Sequence, residues 1–377
     1  GLVINTNKEG YNDIRTRPVE SLFSPNVING GFFNLQEIPN FNDRYAAESY
    51  TNAGFAMIDS KIGSKLRAIY GVRVEKFDLS LKTKNPAVSG NQAELNNIDV
   101  LPSVNLTYAL NEKVNLRASY YRTLARPEFR ELAPFAYYDY ENFASVLGNS
   151  ALKRSLINNA DLRYEFYPNP GQIFSVSAFY KQFINAIEPS IEDQNSTPTI
   201  SYFNSSTATV YGFELEARRS LDFISGSKFF KNTTAYANLS VTRSEIMNLN
   251  PNAIAKYRPL VGQSPYVVNA GLQHSELNNK LTFNILYNRI GRRINLVGGT
   301  RFPDVYENPR DVLDLQIGYK VMKNRAEVKL NAGDLFNQVN LFYFDYDKNN
   351  SFSSSDEILR RYKQGTTFSL SFNYTIR

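Results

Sequence analysis

The alternation of apolar and polar residues near the end of the chain most constrains the fold. Every second residue there is apolar: Phe368, Leu370, Phe372, Tyr374 and Ile376. The residues between them are serine, asparagine or threonine. Because the side chains of a β-strand point alternately to two faces, this pattern predicts a strand with one apolar and one polar face. The same alternation recurs along most of the chain, which predicts an all-β protein.

Connections between the predicted strands alternate between short turns and long segments. The alternation predicts about thirteen strands, and the long connections cover residues 83–97, 126–155, 189–198, 246–262, 291–310 and 337–358. A membrane barrel has short turns on one side and long loops on the other, whereas a soluble sandwich or propeller has no reason to separate them. We therefore predict a transmembrane antiparallel up-and-down β-barrel with its C-terminus on the short-turn side.

This topology also predicts how the chain is divided. Counted backwards from the C-terminus, the first strand begins on the long-loop side. Residues 1–43 are therefore predicted to be an extracellular loop segment, and residues 44–377 an outer-membrane β-barrel. An odd number of strands would leave open sheet edges in lipid, which are not tolerated. We expect either further strands from a larger barrel or a count that is off by one.

Composition agrees with a barrel and argues against several kinds of chemistry. The 377 residues include 25 Tyr and 26 Phe but no Cys and one His, with a net charge of +6. Aromatic girdles are typical of membrane barrels. Without cysteine there is no thiolate site, and His274 alone cannot form a histidine metal cluster. The small, dispersed positive charge does not indicate a nucleic-acid partner.

Charged residues on the predicted inner faces have two interpretations. They include Asp161, Glu165, Glu214, Glu216, Arg163 and Arg218. They are interpreted as a ladder of pairs across strands rather than as acid–base catalysts. Phosphate-binding, hydrolase and metalloprotease motifs are lacking from the sequence. We therefore expect no catalytic residue, no metal ligand, no cofactor and no enzyme activity.

Seven short segments occur in an order that is typical of one family. They are RASYYRTLARPEF at 117–129, GN at 148–149, DLRYE at 161–165, AFYK at 178–181, IE at 187–188, YGFELE at 211–216 and GDLFN at 333–337. Together they resemble the C-terminal barrel portion of TonB-dependent outer-membrane receptors of the Bacteroidetes type. Each segment is short, so the resemblance depends on their number and order.

The resemblance implies a barrel of about 22 strands closed by an N-terminal plug. It also implies a TonB box through which the TonB system energises import, although neither plug nor box is recognised in this sequence. The expected function is import of a scarce nutrient: a siderophore, cobalamin, a glycan or a peptide. Membrane lipid, the TonB system and a surface lipoprotein are the expected partners.

Two other functions stay open at this point. The same scaffold is compatible with a structural or partner-binding barrel subunit of an outer-membrane complex that has no transport activity. A soluble all-β binding or enzyme module is the third alternative, and it would have to fold without detergent.

Two long loops are candidate binding sites. In loop 126–155 we select Tyr137, Tyr138 and Tyr140 as ligand-binding candidates, because aromatic rings stack on polar organic ligands. The alternative is that these rings only pack at the rim. Loop 345–356 places oxygen-bearing side chains at ligand positions of an EF-hand-like calcium loop. Asn350, however, stands where Gly is expected, Asp356 where a bidentate Glu is expected, and strands rather than helices are predicted on both sides. Two interpretations of this loop therefore stay open: a calcium-binding site and an ordinary polar loop.

Overall fold

The chain forms two units. The structure is a computed structural model that describes residues 2–4, 13, 16–22, 24–35, 44–83, 92–194, 197–247, 257–299 and 301–376. The units are Gly1–Arg44 and Tyr45–Arg377. The described residues of the first unit include the antiparallel strands β1 (Leu2–Ile4) and β2 (Phe33–Leu35), and the helices α1 (Val19–Leu22) and α2 (Pro25–Asn29). An extracellular position for residues 1–43 stays a prediction.

Nearly all of the second unit is β-structure. Its strands are β3 (Tyr45–Ile62), β4 (Leu66–Thr83), β5 (Gln92–Asn111), β6 (Val114–Ala125), β7 (Ala136–Asp139), β8 (Ala144–Leu147), β9 (Ser155–Phe166), β10 (Ile173–Ile184), β11 (Ile187–Gln194), β12 (Thr197–Asn204), β13 (Ala208–Ser220), β14 (Thr233–Met247), β15 (Tyr257–Arg258), β16 (Tyr266–Glu276), β17 (Leu281–Ile290), β18 (Arg293–Gly298), β19 (Val305–Glu307), β20 (Arg310–Val321), β21 (Ala326–Gly333), β22 (Asn340–Phe344), β23 (Glu357–Tyr362) and β24 (Thr367–Tyr374). Its helices are α3 (Phe129–Leu132), α4 (Lys228–Lys231) and a 3₁₀ turn at Leu221–Phe223. None of the helices in the described residues is long and apolar enough to cross a membrane.

The larger sheet, which we call the barrel sheet, has 14 strands. Its order is β3-β4-β5-β6-β9-β10-β13-β14-β16-β17-β20-β21-β24, and β15 pairs with β14 beside this path. All neighbours are antiparallel, so the chain runs up and down across the sheet. Within the described residues, β3 and β24 are the end strands of this sheet, and each pairs with one neighbouring strand, β4 and β21 respectively. The predicted antiparallel up-and-down architecture is confirmed.

The barrel sheet is apolar outside and polar inside. On its outer face Leu370 is 74 % and Leu215 is 47 % exposed, whereas on its inner face Glu165 is only 5 % exposed. The register pairs outward Val176 with Leu215 and inward Ser177 with Glu214. This reversal of a soluble protein's pattern is expected where lipid is the outer solvent.

Charge pairs link the strands on the inner face. Arg163 on β9 contacts Glu216 on β13 at 2.6 Å and its own strand neighbour Glu165 at 3.0 Å. Arg117 on β6 contacts Glu165 from the other side at 2.8 Å. The predicted ladder is therefore present at these residues. Arg218 instead donates a hydrogen bond to the Gln273 side chain at 3.2 Å.

Eight strands from the predicted long connections form a second sheet, which we call the loop sheet. Its order is β23-β22-β19-β18-β11-β12-β8-β7, with parallel pairs β11–β18 and β12–β8. Residues 189–198 lie, as predicted, in the connection between two barrel-sheet strands, β10 and β13, but this connection is longer than predicted and forms the β11–β12 hairpin. The sequence pattern also predicts one strand from Tyr202 through Val210 into Phe213, and this prediction is wrong. β12 ends at Asn204 and β13 begins at Ala208, because Asn204 and Ser205 bond back to the carbonyls of Asn185 and Ala186 at the start of β11.

The loop sheet has its own apolar core. The core is formed by Ala144, Val146, Ile191, Ile200, Leu296, Val305, Phe342 and Phe344. These residues come from six different strands of the sheet. Their burial supplies the hydrophobic free energy that orders these segments. The long loops therefore fold together rather than extending separately.

A buried ion pair joins the loop sheet to the barrel sheet. Glu188 on β11 accepts hydrogen bonds from both terminal nitrogens of Arg258 on β15, at 2.9 and 2.8 Å. Their side chains are 2 % and 5 % exposed. Glu188 also accepts from the Ser205 hydroxyl and from the Val261 backbone N–H. The carboxylate thus has four donors, which offsets the free-energy cost of its burial.

The first prediction tests which face meets lipid. Leu215→Arg should lower the free energy of unfolding by about 2–4 kcal/mol, because the charge enters the hydrocarbon. Ser240→Arg is the control, since Ser240 lies inward and pairs in register with Glu214. Urea unfolding of protein reconstituted in lipid vesicles measures both. Equal destabilisation by the two variants would contradict the assignment of the faces.

The second prediction concerns the buried pair. Glu188→Gln leaves Arg258 buried without a counter-charge, so local opening of β11 and β15 should become easier by about 3–5 kcal/mol. Hydrogen exchange of the backbone amides of these strands measures the opening. Glu192→Gln, on an exposed position of the same strand, should change it by less than about 0.5 kcal/mol. An unchanged exchange rate in Glu188→Gln would show that the pair does not hold the sheets together.

Candidate functional site

A single carboxylate holds both ends of loop 126–155. Asp99 on β5 is 3 % exposed. Arg154, just before β9, contacts it at 2.6 Å, and Arg126, just after β6, contacts it at 3.6 Å. Arg126 also contacts Glu75 on β4 at 2.7 Å. The loop is therefore fixed to the barrel sheet at its entry and its exit.

The body of this loop packs on strands β4 and β5. Leu132, Ala133 and Leu152 are buried against a cluster that includes Phe77 and Leu79. Gly148 lies against this packing: a Cβ there would be 2.3 Å from the carbonyl oxygen of Ala133. No side chain larger than hydrogen fits without a shift of the backbone. One side of the loop is thus packed against the barrel sheet rather than exposed to solvent.

The structure places the three predicted tyrosines on β7 and just after it. β7 is an edge strand of the loop sheet. Tyr137, Tyr138 and Tyr140 are 40 %, 44 % and 80 % exposed. The rings of Tyr138 and Tyr140 meet edge to face, with centroids 5.0 Å apart. Because successive residues of a strand alternate, Tyr137 lies on the opposite face of β7.

One arginine side chain, Arg130, supports Tyr137. The guanidinium carbon of Arg130 lies 3.8 Å from the Tyr137 ring centroid and 4.3 Å from that of Phe135. Such stacking holds a cation over an aromatic face. Arg130 lies directly beside the RTLARPEF segment, and the sequence does not distinguish it from the other charged residues of the loop as a candidate site residue. The only local signal was an arginine close to several aromatic residues.

Asp139 fixes the turn between Tyr138 and Tyr140. Its carboxylate accepts hydrogen bonds from the backbone N–H of Glu141 at 2.8 Å and from the Asn142 side chain at 2.7 Å. Partial burial raises the pKa of Asp139, but these hydrogen bonds outweigh it and the net pKa is lowered. The turn therefore carries a fixed negative charge at neutral pH, and Glu141 beside it pairs with Arg360 of β23 at 3.1 Å.

The arrangement presents aromatic faces, a stacked guanidinium and two carboxylates on an exposed edge. Rings and charges held in this way can bind planar polar molecules by stacking and hydrogen bonding. A ligand-binding role for Tyr137, Tyr138 and Tyr140 stays a prediction.

The second candidate loop, 345–356, connects β22 and β23. The structure brings Asp345, Asp347 and Asp356 together. The remaining singled-out residue, His274, lies at the short-turn end of β16, where its ring Nδ1 is 2.7 Å from the Thr233 hydroxyl.

The third prediction tests the anchoring of loop 126–155. Asp99→Asn removes the charge that holds Arg126 and Arg154, so opening of the loop should become easier by about 1–3 kcal/mol. Hydrogen exchange over residues 126–154 measures it. Asp78→Asn is the control, because among the described residues that partly exposed carboxylate forms an ion pair with Lys76, at 3.6 Å. Exchange that is no faster in Asp99→Asn than in the control would disprove the anchoring role.

Solved receptors about twice as long share this fold. The ferric enterobactin receptor PfeA of Pseudomonas aeruginosa is 15 % identical over 87 % of this chain and 54 % of its own, with a TM-score of 0.53. The copper transporter OprC is 15 % identical over 87 % and 48 %, with a TM-score of 0.62. The ferric-catecholate import receptor Fiu of E. coli K12 is 14 % identical over 88 % and 45 %, with a TM-score of 0.59.

At these identities the likeness establishes the fold alone. The chain spans about half the length of these receptors. No curated protein matches the sequence. The model of the outer membrane protein beta-barrel family, however, matches residues 18–374, almost the whole chain. The protein therefore belongs to the outer membrane protein β-barrel family and is located in the bacterial outer membrane.

Proposed function

We propose that this chain forms the wall and the extracellular face of a TonB-dependent transporter that imports a scarce nutrient. The observation that carries the proposal is the shared fold with three receptors named for ferric enterobactin, copper and ferric catecholates. Siderophores are accordingly the first substrate class to test, followed by cobalamin, glycans and peptides. Residues 44–377 supply the barrel in this proposal, and residues 1–43 an extracellular segment.

Capture of the substrate takes place at the edge of the loop sheet. Tyr138 and Tyr140 offer exposed rings, and Arg130 holds Tyr137 in place. A planar, polar ligand stacks on the rings and accepts hydrogen bonds from their hydroxyls. Since the loop is anchored at both ends by Asp99, little conformational entropy is lost on binding.

Release of the substrate depends on the charged inner face of the barrel. Arg117, Arg163, Glu165 and Glu216 line the inner face with paired charges. Such a wall can hold a plug domain by polar contacts that break and re-form. The TonB system, acting through the plug, then opens the path for the bound nutrient.

The proposal needs no covalent chemistry. Glu165 accepts hydrogen bonds from two arginines and from the Tyr167 hydroxyl. A carboxylate so engaged is held as a structural anion rather than as a general base. The transporter-like fold leads us to propose that the protein acts in transport rather than as an enzyme.

A partner-binding subunit without transport is the second candidate function. The observation that favours it is the packed core of the loop sheet, because a rigid surface suits protein recognition. A surface lipoprotein is the expected partner. The two functions differ in their need for TonB, since only transport requires energy.

The fourth prediction tests capture by the tyrosines. The complete gene is expressed in E. coli lacking its own ferric-siderophore receptors, with and without TonB. Uptake of radiolabelled ferric enterobactin, copper(II) and cobalamin is then measured. At least one probe should enter only with TonB, and joint replacement of Tyr137, Tyr138 and Tyr140 by Ala should lower its uptake by about tenfold, equivalent to about 1.4 kcal/mol of binding.

Replacement of the same three residues by Phe is the matched control. It keeps the rings and removes the hydroxyls, so most of the uptake should remain if stacking dominates. Heat-modifiable gel mobility verifies folding of each variant. Undiminished uptake in the Ala variant would rule out the tyrosines as the capture site. Lack of TonB-dependent uptake of every probe, with a lipoprotein still bound, would favour the subunit function.

A further inference from the structure

Three carboxylates converge in the loop between β22 and β23. One carboxylate oxygen from each of Asp345, Asp347 and Asp356 lies within 4.8 Å of the other two. Like charges at such distances repel each other. Such a grouping therefore requires a compensating positive charge.

Asp345 shows that the compensation by protein groups is incomplete. This residue is 4 % exposed, and its Oδ2 pairs with the guanidinium of Arg292. Its other oxygen, Oδ1, is buried and has no hydrogen-bond partner among the described residues. A buried carboxylate oxygen without a partner is unfavourable, and native proteins satisfy almost all such atoms. A cation bound among the three carboxylates would supply the missing partner.

The other two carboxylates are held in position by the loop itself. Asp347 accepts hydrogen bonds from the hydroxyls of Ser353 and Ser355 at 2.7 and 2.6 Å. Asp356 accepts from the backbone N–H groups of Tyr346 and Ser353 at 2.9 and 2.8 Å. Both side chains are therefore oriented before any ion binds.

Two residues depart from the EF-hand-like pattern: Asp356 stands where a bidentate Glu is expected, and Asn350 is accommodated by the backbone. Asn350 stands where Gly is expected, and its φ is +66°. Asparagine is among the few residues other than glycine that adopt this left-handed conformation readily. The tight turn that the pattern requires is thus present, although the glycine is not.

The donor set points to calcium. We propose that Asp345, Asp347 and Asp356 bind one Ca²⁺ ion, with loop hydroxyls, backbone carbonyls and water completing its shell. Calcium takes six to eight oxygen ligands in flexible geometry, whereas magnesium demands a near-octahedral shell and retains its waters. Oxygens on opposite sides of Ca²⁺ are about 4.6–5.2 Å apart, so three oxygens within 4.8 Å can share one ion.

Calcium binding would order one end of the loop sheet. Arg292, the partner of Asp345, also stacks on Tyr306 at 3.3 Å and donates a hydrogen bond to the Tyr343 hydroxyl at 2.9 Å. Both tyrosines belong to neighbouring strands, β19 and β22. The ion would therefore fix the 345–356 loop to the strands beside it. This role is independent of which nutrient the protein transports.

The fifth prediction is that the chain binds one Ca²⁺ ion. Isothermal titration calorimetry with Ca²⁺, on the full chain in detergent, measures this binding. We expect one site with a dissociation constant of about 10⁻⁴–10⁻³ M, the range of extracellular calcium modules. Asp347→Asn and Asp356→Asn should each weaken binding by at least about tenfold. Glu357→Gln, which removes a neighbouring carboxylate outside the cluster, is the matched control and should bind Ca²⁺ like the unaltered chain.

Terbium luminescence gives a second readout. The chain contains no Trp, so excitation of tyrosine is selective, and Tyr346 lies between two of the proposed ligands. Tb³⁺ emission should appear in the unaltered chain, fall on addition of Ca²⁺, and be weak in Asp356→Asn. Absence of heat at millimolar Ca²⁺, or unchanged binding in both Asp variants, would overturn the proposal. Equal affinity for Mg²⁺ would overturn the assignment to calcium.

Discussion

A strand inside a bilayer has no water to bond its backbone, and the rest of this structure depends on that constraint. Each N–H and C=O must find a partner on a neighbouring strand, so the chain can cross only as a continuous ladder. The ladder leaves side chains two environments, lipid and lumen. Leu215 and Glu214 are adjacent in sequence yet belong to opposite solvents. Charged and polar residues with a function are therefore confined to the inner face and to the loops.

The same constraint explains how much of the fold the sequence reveals. A strand between lipid and lumen alternates at every residue, and the strands ending at Tyr374 or containing Leu215 were predicted for this reason. Some strands of the loop sheet give no such signal. All five residues of β22 are buried, so it has no polar face, and β11 pairs with β18 through residues as distant as Ser190 and Val297. Local patterns carry no information about such pairing.

The candidate residues likewise fall into two groups, those with a local sequence signal and those defined by distant contacts. The tyrosines are candidates because aromatic enrichment in a loop is visible locally, and the Asp345 loop is one because its oxygens are regularly spaced. Asp99 and Arg360 could not be selected from the sequence, since their roles depend on partners that are distant along the chain. The short family-like segments turn out to contain structural contacts: Glu188 bears the buried ion pair, and Gly148 permits the close approach to Ala133.

The salt bridge between Arg360 and Glu141 has a consequence for neighbouring molecules in the membrane. It links β23, at one end of the loop sheet, to the turn after β7, at the other end. An open strand edge is a template on which a second chain can add its own strand. Here one ion pair connects the two edges of the loop sheet, and its charged side chains, Arg360 and Glu141, lie at those edges. A crowded surface of identical proteins is thereby protected against accidental joining of their sheets.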